Sequence, residues 1–175
     1  IPEGRLYFPD EPVVEVAAPI IESQIVETFI LNQANLQSMV ATKAARCLSA
    51  GPGRELVDFA LRRTQGTDAG IKVARCSYMV GFASTSNVLA GKRYGIPIAG
   101  TMAHSFITSF EHEIDAFRAY AISFPDDAVF LIDTYNTLTG AHKAAVVAKE
   151  MELQGHRLRA VRLDSGDLID LSRQV

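Results

Sequence analysis

Side chains that could do chemistry recur along the chain, each group directly after a short apolar segment. The groups are Arg62 and Arg63, Thr85 and Ser86, Thr101 and His104, Asp133 and Thr134, and Arg162 with Asp164 and Ser165. Short, wholly apolar segments are typical of strands in a buried parallel sheet. Because the carboxyl ends of such strands meet at one edge of the sheet, we expect these side chains to face one crevice. Helix capping is the alternative explanation, since Ser, Thr and Asp are also the usual N-caps.

His104 is the central candidate of this set. It follows the apolar run 96–99 and stands at the start of the next predicted helix. A carboxylate against one ring nitrogen would fix the tautomer and leave the other nitrogen as a nucleophile or base, and Asp133 is the predicted partner. A packed or capping histidine is the alternative, because a single histidine is weak evidence of a site. The remaining histidines are predicted to lie at the surface, namely His112, His142 and His156.

Two further groups could bind ribose, phosphate or an aromatic ring. The segment Asp164–Asp167 reads as a tight turn, in which an aspartate could accept from ribose hydroxyls and the backbone amides could hold phosphate. An Asx turn with a helix cap is the alternative. Arg62 offers a planar fork for carboxylate or phosphate, and at a strand end it should point away from Arg63. Phe59 could stack on a flat ring or simply fill the core.

A repeated unit of strand, turn and helix must position these residues. The predicted strands cover 56–60, 81–85, 96–99, 128–132 and 158–163, and a helical pattern follows each one. One helix is predicted to run on from Met102, with an apolar stripe of Phe106, Phe110, Ile114, Phe117 and Ala121. The next helix is predicted to bury Ala141, Ala145, Ala148 and Met151. Five such units require a parallel sheet with right-handed crossovers, which either a barrel or an open doubly wound sheet would satisfy.

The units are preceded by a different pattern. Residues 1–19 alternate between apolar and polar positions among several prolines, which predicts strands of an antiparallel sheet with one wet face. A long helix is predicted over residues 23–48. We therefore expect an α/β fold in which residues 1–22 belong to a small α+β domain and residues 23–175 form a linking helix and an incomplete parallel α/β barrel. A full eight-fold barrel takes roughly 250 residues, and the chain starts without Met and stops inside a predicted helix, so we expect an internal piece of a longer protein.

Composition excludes several classes of function. The net charge of -3 argues against a nucleic-acid binder led by electrostatics, so any anionic ligand must be held by a few placed basic groups. No apolar run approaches the roughly 20 residues that span a bilayer. Cys47 and Cys76 form no C-x-x-C motif and are predicted to be core thiols of a protein in the reducing cytoplasm.

Five strings of this sequence, taken together, resemble the nicotinate phosphoribosyltransferase family of type II phosphoribosyltransferases. They are FPDEPVVEV, DFALRRTQG, GFASTSNVLAGKRYGIPIAGTMAHSF, LIDTYNTL and VRLDSGDL, and they run across nearly all of the 175 residues. The resemblance implies an irregular, TIM-like α/β barrel with a flanking sandwich domain, and homodimers with shared sites. The chain departs from the usual family pattern at Ala60, where Gly is expected, and at Asn136, where Asp is expected.

The resemblance also implies a reaction and a set of roles. Nicotinate would attack phosphoribosyl pyrophosphate to give nicotinate mononucleotide and pyrophosphate, while ATP is hydrolysed through a phosphohistidine and Mg²⁺ accompanies the phosphates. His104 would be phosphorylated with Asp133 as its carboxylate partner. The substrate-binding residues would be Phe59 against the pyridine ring, Ser86 and Arg162 around the carboxylate, Arg62 at phosphate, Asp164 at the ribose hydroxyls, and Thr101, Ser165 and Gly166 at the same edge.

Ser86 favours nicotinate over nicotinamide as the base. The similar nicotinamide-using enzymes are expected to carry Asp at this position, where it would accept from the amide and repel a carboxylate. Two alternatives stay open at this point: a nicotinamide phosphoribosyltransferase, and a non-catalytic barrel that binds nucleotides. No nucleic-acid or membrane partner is expected.

Overall fold

The computed structural model describes all residues 1–175 and shows a mixed α/β chain, as the sequence predicts. The strands are short: β1 is Val57–Asp58, β2 is Ser84–Thr85, β3 is Val129–Leu131 and β4 is Ala160–Arg162. The helices are α1 Ile20–Ala50, α2 Thr67–Met79, α3 Val88–Tyr94, α4 His104–Thr108, α5 Glu113–Ser123, α6 Thr137–Leu153 and α7 Leu168–Gln174. The chain divides into two compact units, Ile1–Gly100 and Thr101–Val175, and each is described by itself.

The first unit packs α2 against α1 and places a small parallel sheet beside them. β1 pairs with β2 in parallel, with Val57 opposite Ser84, and Ile98 forms a further parallel bridge to Thr85. Apolar burial is concentrated in a small cluster made by Ile71, Ala74 and Ala90. Parallel pairing between successive units is therefore confirmed here.

The second unit holds the larger core. β3 and β4 pair in parallel, with Phe130 opposite Val161, and α6 makes the crossover between them. The rings of Phe117 and Phe130 stack at 4.9 Å between centroids, and both side chains are fully buried. Gly140 lets α6 lie directly on the end of β3, because a Cβ at this position would collide with the carbonyl oxygen of Ile132.

Residues 1–19 differ from the prediction, since they contain turns and no strand. Pro2, Pro9, Pro12 and Pro19 remove backbone donors from this stretch, and a ladder needs those donors. Alternation alone therefore predicted a sheet that the backbone of this segment does not form. The helix that follows is longer than predicted and begins at Ile20 directly after the last of these prolines.

The helix predicted to run on from Met102 is two helices. α4 ends at Thr108 because Ser109 Oγ donates to the carbonyl of Phe106 at 2.6 Å, which satisfies an acceptor at the helix end. The apolar stripe nevertheless packs on the core from both pieces, with Phe106 on α4 and Phe117 on α5. In α6 the predicted Met151 is buried and Ala141 packs partly buried against the core, but the other buried residues are Gly140, Ala144 and Val147, each one position before a predicted one.

The structure also shows whether residues predicted to be buried or exposed are so. Ile96 is buried but Ile98 is 56% exposed, so the segment 96–99 is not covered on both faces in this chain. Cys76 is buried as predicted, and burial raises the pKa of its thiol, whereas Cys47 is exposed and the prediction for it was wrong. His112 and His142 are exposed, and His156 is half-buried with Nδ1 3.0 Å from a carboxylate oxygen of Asp126. None of the helices is long and apolar enough to cross a membrane.

Candidate functional site

The second unit brings together polar residues from the ends of both of its strands and the start of α4. Thr101 and His104 come from the entrance to α4, Asp133 follows β3, and Arg162 and Asp164 come from the end of β4. Because β3 and β4 are parallel, their carboxyl ends lie side by side and place these residues at one edge. The convergence predicted from the sequence is therefore present within this unit.

The imidazole of His104 lies between a hydroxyl and a carboxylate. Its Nδ1 is 3.1 Å from Thr134 Oγ1, and its Nε2 is 3.5 Å from Asp164 Oδ2. The second distance is long for a hydrogen bond but short enough for electrostatic attraction. An ionised Asp164 favours a proton on Nε2, which leaves the Nδ1 lone pair to accept from the hydroxyl of Thr134.

Arg162 keeps Asp164 ionised. One guanidinium nitrogen donates to Asp164 Oδ1 at 2.6 Å, and another donates to Thr101 Oγ1, also at 2.6 Å. The hydrogen bond from Arg162 holds the pKa of Asp164 below its usual range; burial opposes this shift, and the charge of Arg162 and the neighbouring His104 add to it. Arg162 thereby links the loop before α4 to the turn after β4.

Asp133 does not pair with His104, contrary to the expectation. Its Oδ2 accepts from the backbone N–H of Asp164 at 3.0 Å and from Ser165 Oγ at 2.6 Å, while Oδ1 is buried and has no hydrogen-bond partner. The carboxylate beside the imidazole is that of Asp164. Asp133 points across the strand ends to the turn after β4 because side chains alternate sides along a chain leaving a strand, and the next residue, Thr134, takes the position beside His104.

The turn after β4 is built as the sequence predicts. Gly166 has φ of 78°, a left-handed conformation in which glycine carries no Cβ penalty. Asp167 then caps α7, with Oδ1 accepting from the N–H groups of Ile169 and Asp170. The turn is therefore shaped from both sides, by Asp133 before it and by the helix cap after it.

Thr134 is the site residue that sequence reasoning placed at the edge without giving it a role. Its contact with the imidazole follows from its position directly after Asp133 at the end of β3. A strand end that presents two polar residues in succession sends one to each side. That rule was the available signal for a second neighbour of His104.

The first unit carries the remaining predicted residues, Phe59, Arg62 and Ser86. Phe59 and Arg62 are exposed, and the half-buried Ser86 donates its backbone N–H to the carbonyl of Asp58 at 2.8 Å. Arg62 and Arg63 do not lie at a strand end as predicted, because β1 stops at Asp58 and a single 3₁₀ turn spans Leu61–Arg63. Side chains on such a turn fan out around it, so the opposite-sides expectation does not apply.

The first unit also contains a cavity that none of the predicted site residues lines. This cavity of about 440 Å³ lies between residues 1–7, α1 and the end of α2, with Gln37 and Cys76 in its wall. It is away from the carboxyl ends of β1 and β2, where Ser86 and Phe59 are found. We therefore assign the candidate chemistry to the strand ends and not to this cavity.

The strand ends of the second unit suit a metal ion only together with ligand oxygens. No group of three or more His, Cys, Asp or Glu in the chain could hold a metal by itself. Mg²⁺ commonly uses one or two carboxylates and completes its shell with water and substrate phosphates. Asp133 Oδ1, a buried carboxylate oxygen without a partner, fits that mode of binding.

Comparison with known proteins gives a consistent result. A sequence profile of the Nicotinate phosphoribosyltransferase (NAPRTase) family matches residues 54–175. The chain is 55% identical over 174 residues to a nicotinate phosphoribosyltransferase of Mycobacterium tuberculosis, and 44% identical over 175 residues to that of Bacillus subtilis. Each match covers 98% of this chain and 37% or 35% of the relative, so the chain spans about a third of the length of the curated relatives it matches.

Solved structures agree with the sequence relatives. The crystal structure of human nicotinic acid phosphoribosyltransferase superposes with a TM-score of 0.90 at 36% identity, covering 99% of this chain and 44% of that one. A nicotinate-nucleotide pyrophosphorylase from Pyrococcus furiosus has a TM-score of 0.70 at 24% identity, covering 80% of this chain and 36% of that one, and it shares the fold.

Proposed function

The chain belongs to the nicotinate phosphoribosyltransferase family, and from this premise we propose that it carries part of an active site that makes nicotinate mononucleotide. The pyridine nitrogen of nicotinate attacks C1 of phosphoribosyl pyrophosphate, the bond from C1 to the pyrophosphate oxygen breaks, and pyrophosphate leaves. The pyridine nitrogen is already nucleophilic, so catalysis depends on positioning and on stabilising the charge of the leaving group.

The observation that carries the proposal is the linked group Thr101, Arg162, Asp164 and His104. A guanidinium fixed by two hydrogen bonds supplies positive charge, and it keeps beside the imidazole a carboxylate that stays ionised. This arrangement supports a histidine that accepts a phosphoryl group. In that step the bond between the γ-phosphorus of ATP and the oxygen that bridges it to ADP breaks, a phosphorus–nitrogen bond to the Nδ1 lone pair of His104 forms in place of the hydrogen bond from Thr134, and ADP leaves. Water later attacks the phosphorus, phosphate is released and the imidazole is restored.

The substrate-binding assignments of the resemblance are part of the same proposal. Phe59 stacks on the pyridine ring, Ser86 and Arg162 bind its carboxylate, and Arg62 binds phosphate. Asp164 binds the ribose hydroxyls, and Thr101, Ser165 and Gly166 contribute to substrate binding at the same edge. In this role Asp164 would serve both the ribose and His104, which its two oxygens allow, since Oδ1 faces Arg162 and Oδ2 faces the imidazole.

We extend the proposal to the surroundings of the site. The parallel strand pairs belong to an irregular, TIM-like α/β barrel, and residues 1–22 to a sandwich domain beside it. The functional protein is a cytoplasmic homodimer, and Mg²⁺ bound with the substrate phosphates would be held by Asp133. The metal, when bound, supplies positive charge to the phosphates.

Mass spectrometry of the full-length protein after incubation with ATP tests the histidine. We expect an acid-labile phosphate on the peptide that contains His104 and none in the His104→Ala variant, with His112→Ala as the matched control that keeps the signal. Phosphate on another residue, or an unchanged signal in His104→Ala, contradicts the assignment. A non-catalytic barrel predicts no ATP turnover in any of the three proteins.

The choice of base is tested separately. When nicotinate and nicotinamide compete at equal concentration, we expect nicotinate mononucleotide as the main product. Ser86→Asp should reduce the use of nicotinate, because a second carboxylate would face that of the substrate. A preference of the wild-type protein for nicotinamide would replace the proposal with its amide-using alternative.

A further inference from the structure

The strand ends of the first unit contain a buried polar network that the proposed chemistry does not use. Asp58, Thr85 and Asn87 are 4%, 0% and 3% exposed, so the three residues are almost fully removed from water. Buried polar groups are costly unless they are hydrogen-bonded, and such networks usually fix a specific geometry. The question is which geometry this network fixes.

Asp58 holds the backbone on both sides of Phe59. Its Oδ1 accepts from the N–H of Ala60 at 2.9 Å, and its own carbonyl accepts from the N–H of Ser86 at 2.8 Å. Its Oδ2 accepts from Thr85 Oγ1 at 2.7 Å. One residue therefore ties the segment that carries Phe59 to the segment that carries Ser86.

Thr85 is the other half of the connection. Its hydroxyl accepts from the N–H of Asn87 at 3.0 Å, so its single proton goes to Asp58. Its backbone is held as well, because its N–H donates to the carbonyl of Pro97 and its carbonyl accepts from Ala99. The hydroxyl of Thr85 thus holds both sequence neighbours of Ser86, because it ties Thr85 to Asp58 and accepts from the N–H of Asn87.

We propose that Asp58 and Thr85 are positioning residues that set the relative placement of Phe59 and Ser86 for recognition of an aromatic ring with a carboxylate. This inference rests on the proposed function, because it concerns how the same site selects its base. The two residues act through backbone geometry and do not touch the substrate themselves. Loss of the Thr85 hydroxyl should weaken binding of the base more than binding of phosphoribosyl pyrophosphate.

Steady-state kinetics of the full-length enzyme with two variants of Thr85 tests this. Thr85→Val keeps the shape but leaves Asp58 Oδ2 and the N–H of Asn87 without a partner, and we expect KM for nicotinate to rise about tenfold or more. KM for phosphoribosyl pyrophosphate should stay within about twofold. Thr85→Ser restores the hydroxyl and should return KM for nicotinate to within about threefold of the wild type.

Controls separate positioning from general destabilisation. Ile71→Val trims the core of the same unit and should lower the unfolding midpoint without changing KM for nicotinate. If Thr85→Val does not fold, Asp58→Asn serves instead. The side-chain amide of this variant can still accept from the N–H of Ala60 but no longer accepts from the hydroxyl of Thr85, and we expect KM for nicotinate to rise about threefold or more.

Three outcomes would overturn the inference: KM for nicotinate unchanged in both folded variants, both KM values rising together, or Thr85→Ser being as impaired as Thr85→Val. A wild-type enzyme that makes no nicotinate mononucleotide refutes the proposed function, and this inference with it. An active wild-type enzyme with a normal Thr85→Val variant refutes this inference alone.

Discussion

Replacing Asp133 by asparagine and by alanine should have very different effects on the turn after β4. In the wild type only Oδ2 is used, as the acceptor for Asp164 N–H and Ser165 Oγ, while Oδ1 makes no hydrogen bond. An asparagine can put its carbonyl oxygen at the Oδ2 position and its amide nitrogen at the unused position. Asp133→Asn therefore keeps both hydrogen bonds, and Asp133→Ala loses both.

The magnitude follows from those two hydrogen bonds. A hydrogen bond to a charged group contributes about 1.5–3 kcal/mol, but the turn is partly exposed and water can replace part of what is lost. We expect Asp133→Ala to lower the free energy of local opening at Asp164 by about 2–3 kcal/mol, which is roughly a 30- to 160-fold faster amide exchange. For Asp133→Asn we expect a change below about 1 kcal/mol.

Hydrogen–deuterium exchange of the full-length protein, read by mass spectrometry on a peptide covering residues 158–167, measures this difference. Asp126→Ala is the matched control, since Asp126 is an exposed carboxylate that pairs with His156 and holds no part of the turn. Equal exchange in the alanine and asparagine variants would show that Oδ2 does not hold the turn, and the positioning role of Asp133 would be wrong.

Three further predictions concern stability. Gly140→Ala should lower the unfolding free energy by about 3 kcal/mol in urea titration, because the added methyl meets the backbone of Ile132, which cannot rotate away; a loss below 1 kcal/mol would contradict this. Lys143→Met should lower the free energy of unfolding by about 3 kcal/mol, because it removes the cation that pairs with Glu113, whose side chain is 1% exposed. Lys72→Met, at the exposed pair with Asp68, should change the free energy of unfolding by less than about 0.5 kcal/mol. The lowered pKa of Asp164 stabilises the folded state at pH values above about 3.9, the pKa of an aspartate in the unfolded chain. This contribution is lost as the pH falls through the lower pKa of Asp164 in the folded state. Neutralising Arg162 should therefore make the free energy of unfolding less dependent on pH in the acid range.

The alternation of strands and helices after residue 56 could largely be predicted from the sequence, although the predicted strand 96–99 forms only a single bridge and one predicted helix is two. Short apolar runs marked the strands, and apolar residues at helical spacing marked the helices between them. Each run ended in polar residues, and parallel pairing then implied that His104, Asp164 and Arg162 would meet at one edge. The structure shows that meeting within the second unit.

Pairings inside the site were beyond the reach of the sequence. His104 was expected beside Asp133, yet the neighbouring carboxylate is Asp164, because Asp133 and Thr134 leave β3 on opposite sides. A rotation of one residue at a strand end exchanges the two roles, and spacing cannot fix that rotation. Asn136, which replaces an expected Asp, shows a role that local sequence could supply: its side chain accepts from Thr139 N–H and caps α6.

Helix faces rich in small residues were similarly ambiguous. In α6, alanines at 141, 144, 145 and 148 offer two possible buried stripes, and the choice was made by Gly140 against the end of β3. A contact between backbones in space has no signature in the spacing of apolar residues. The same holds for residues 1–19, where alternation predicted strands but the prolines removed the donors.

The long reach of Arg162 back to Thr101 has a consequence for the order in which the protein is made. The two residues are 61 positions apart, and between them lie the crossover helix and both strands of the pair. During synthesis the imidazole of His104 leaves the ribosome well before the aspartate and guanidinium that complete its surroundings. A nascent chain that has not yet added β4 holds its histidine without the neighbouring anion, so the proposed phosphate-accepting site is complete only when β4 and the turn after it are in place.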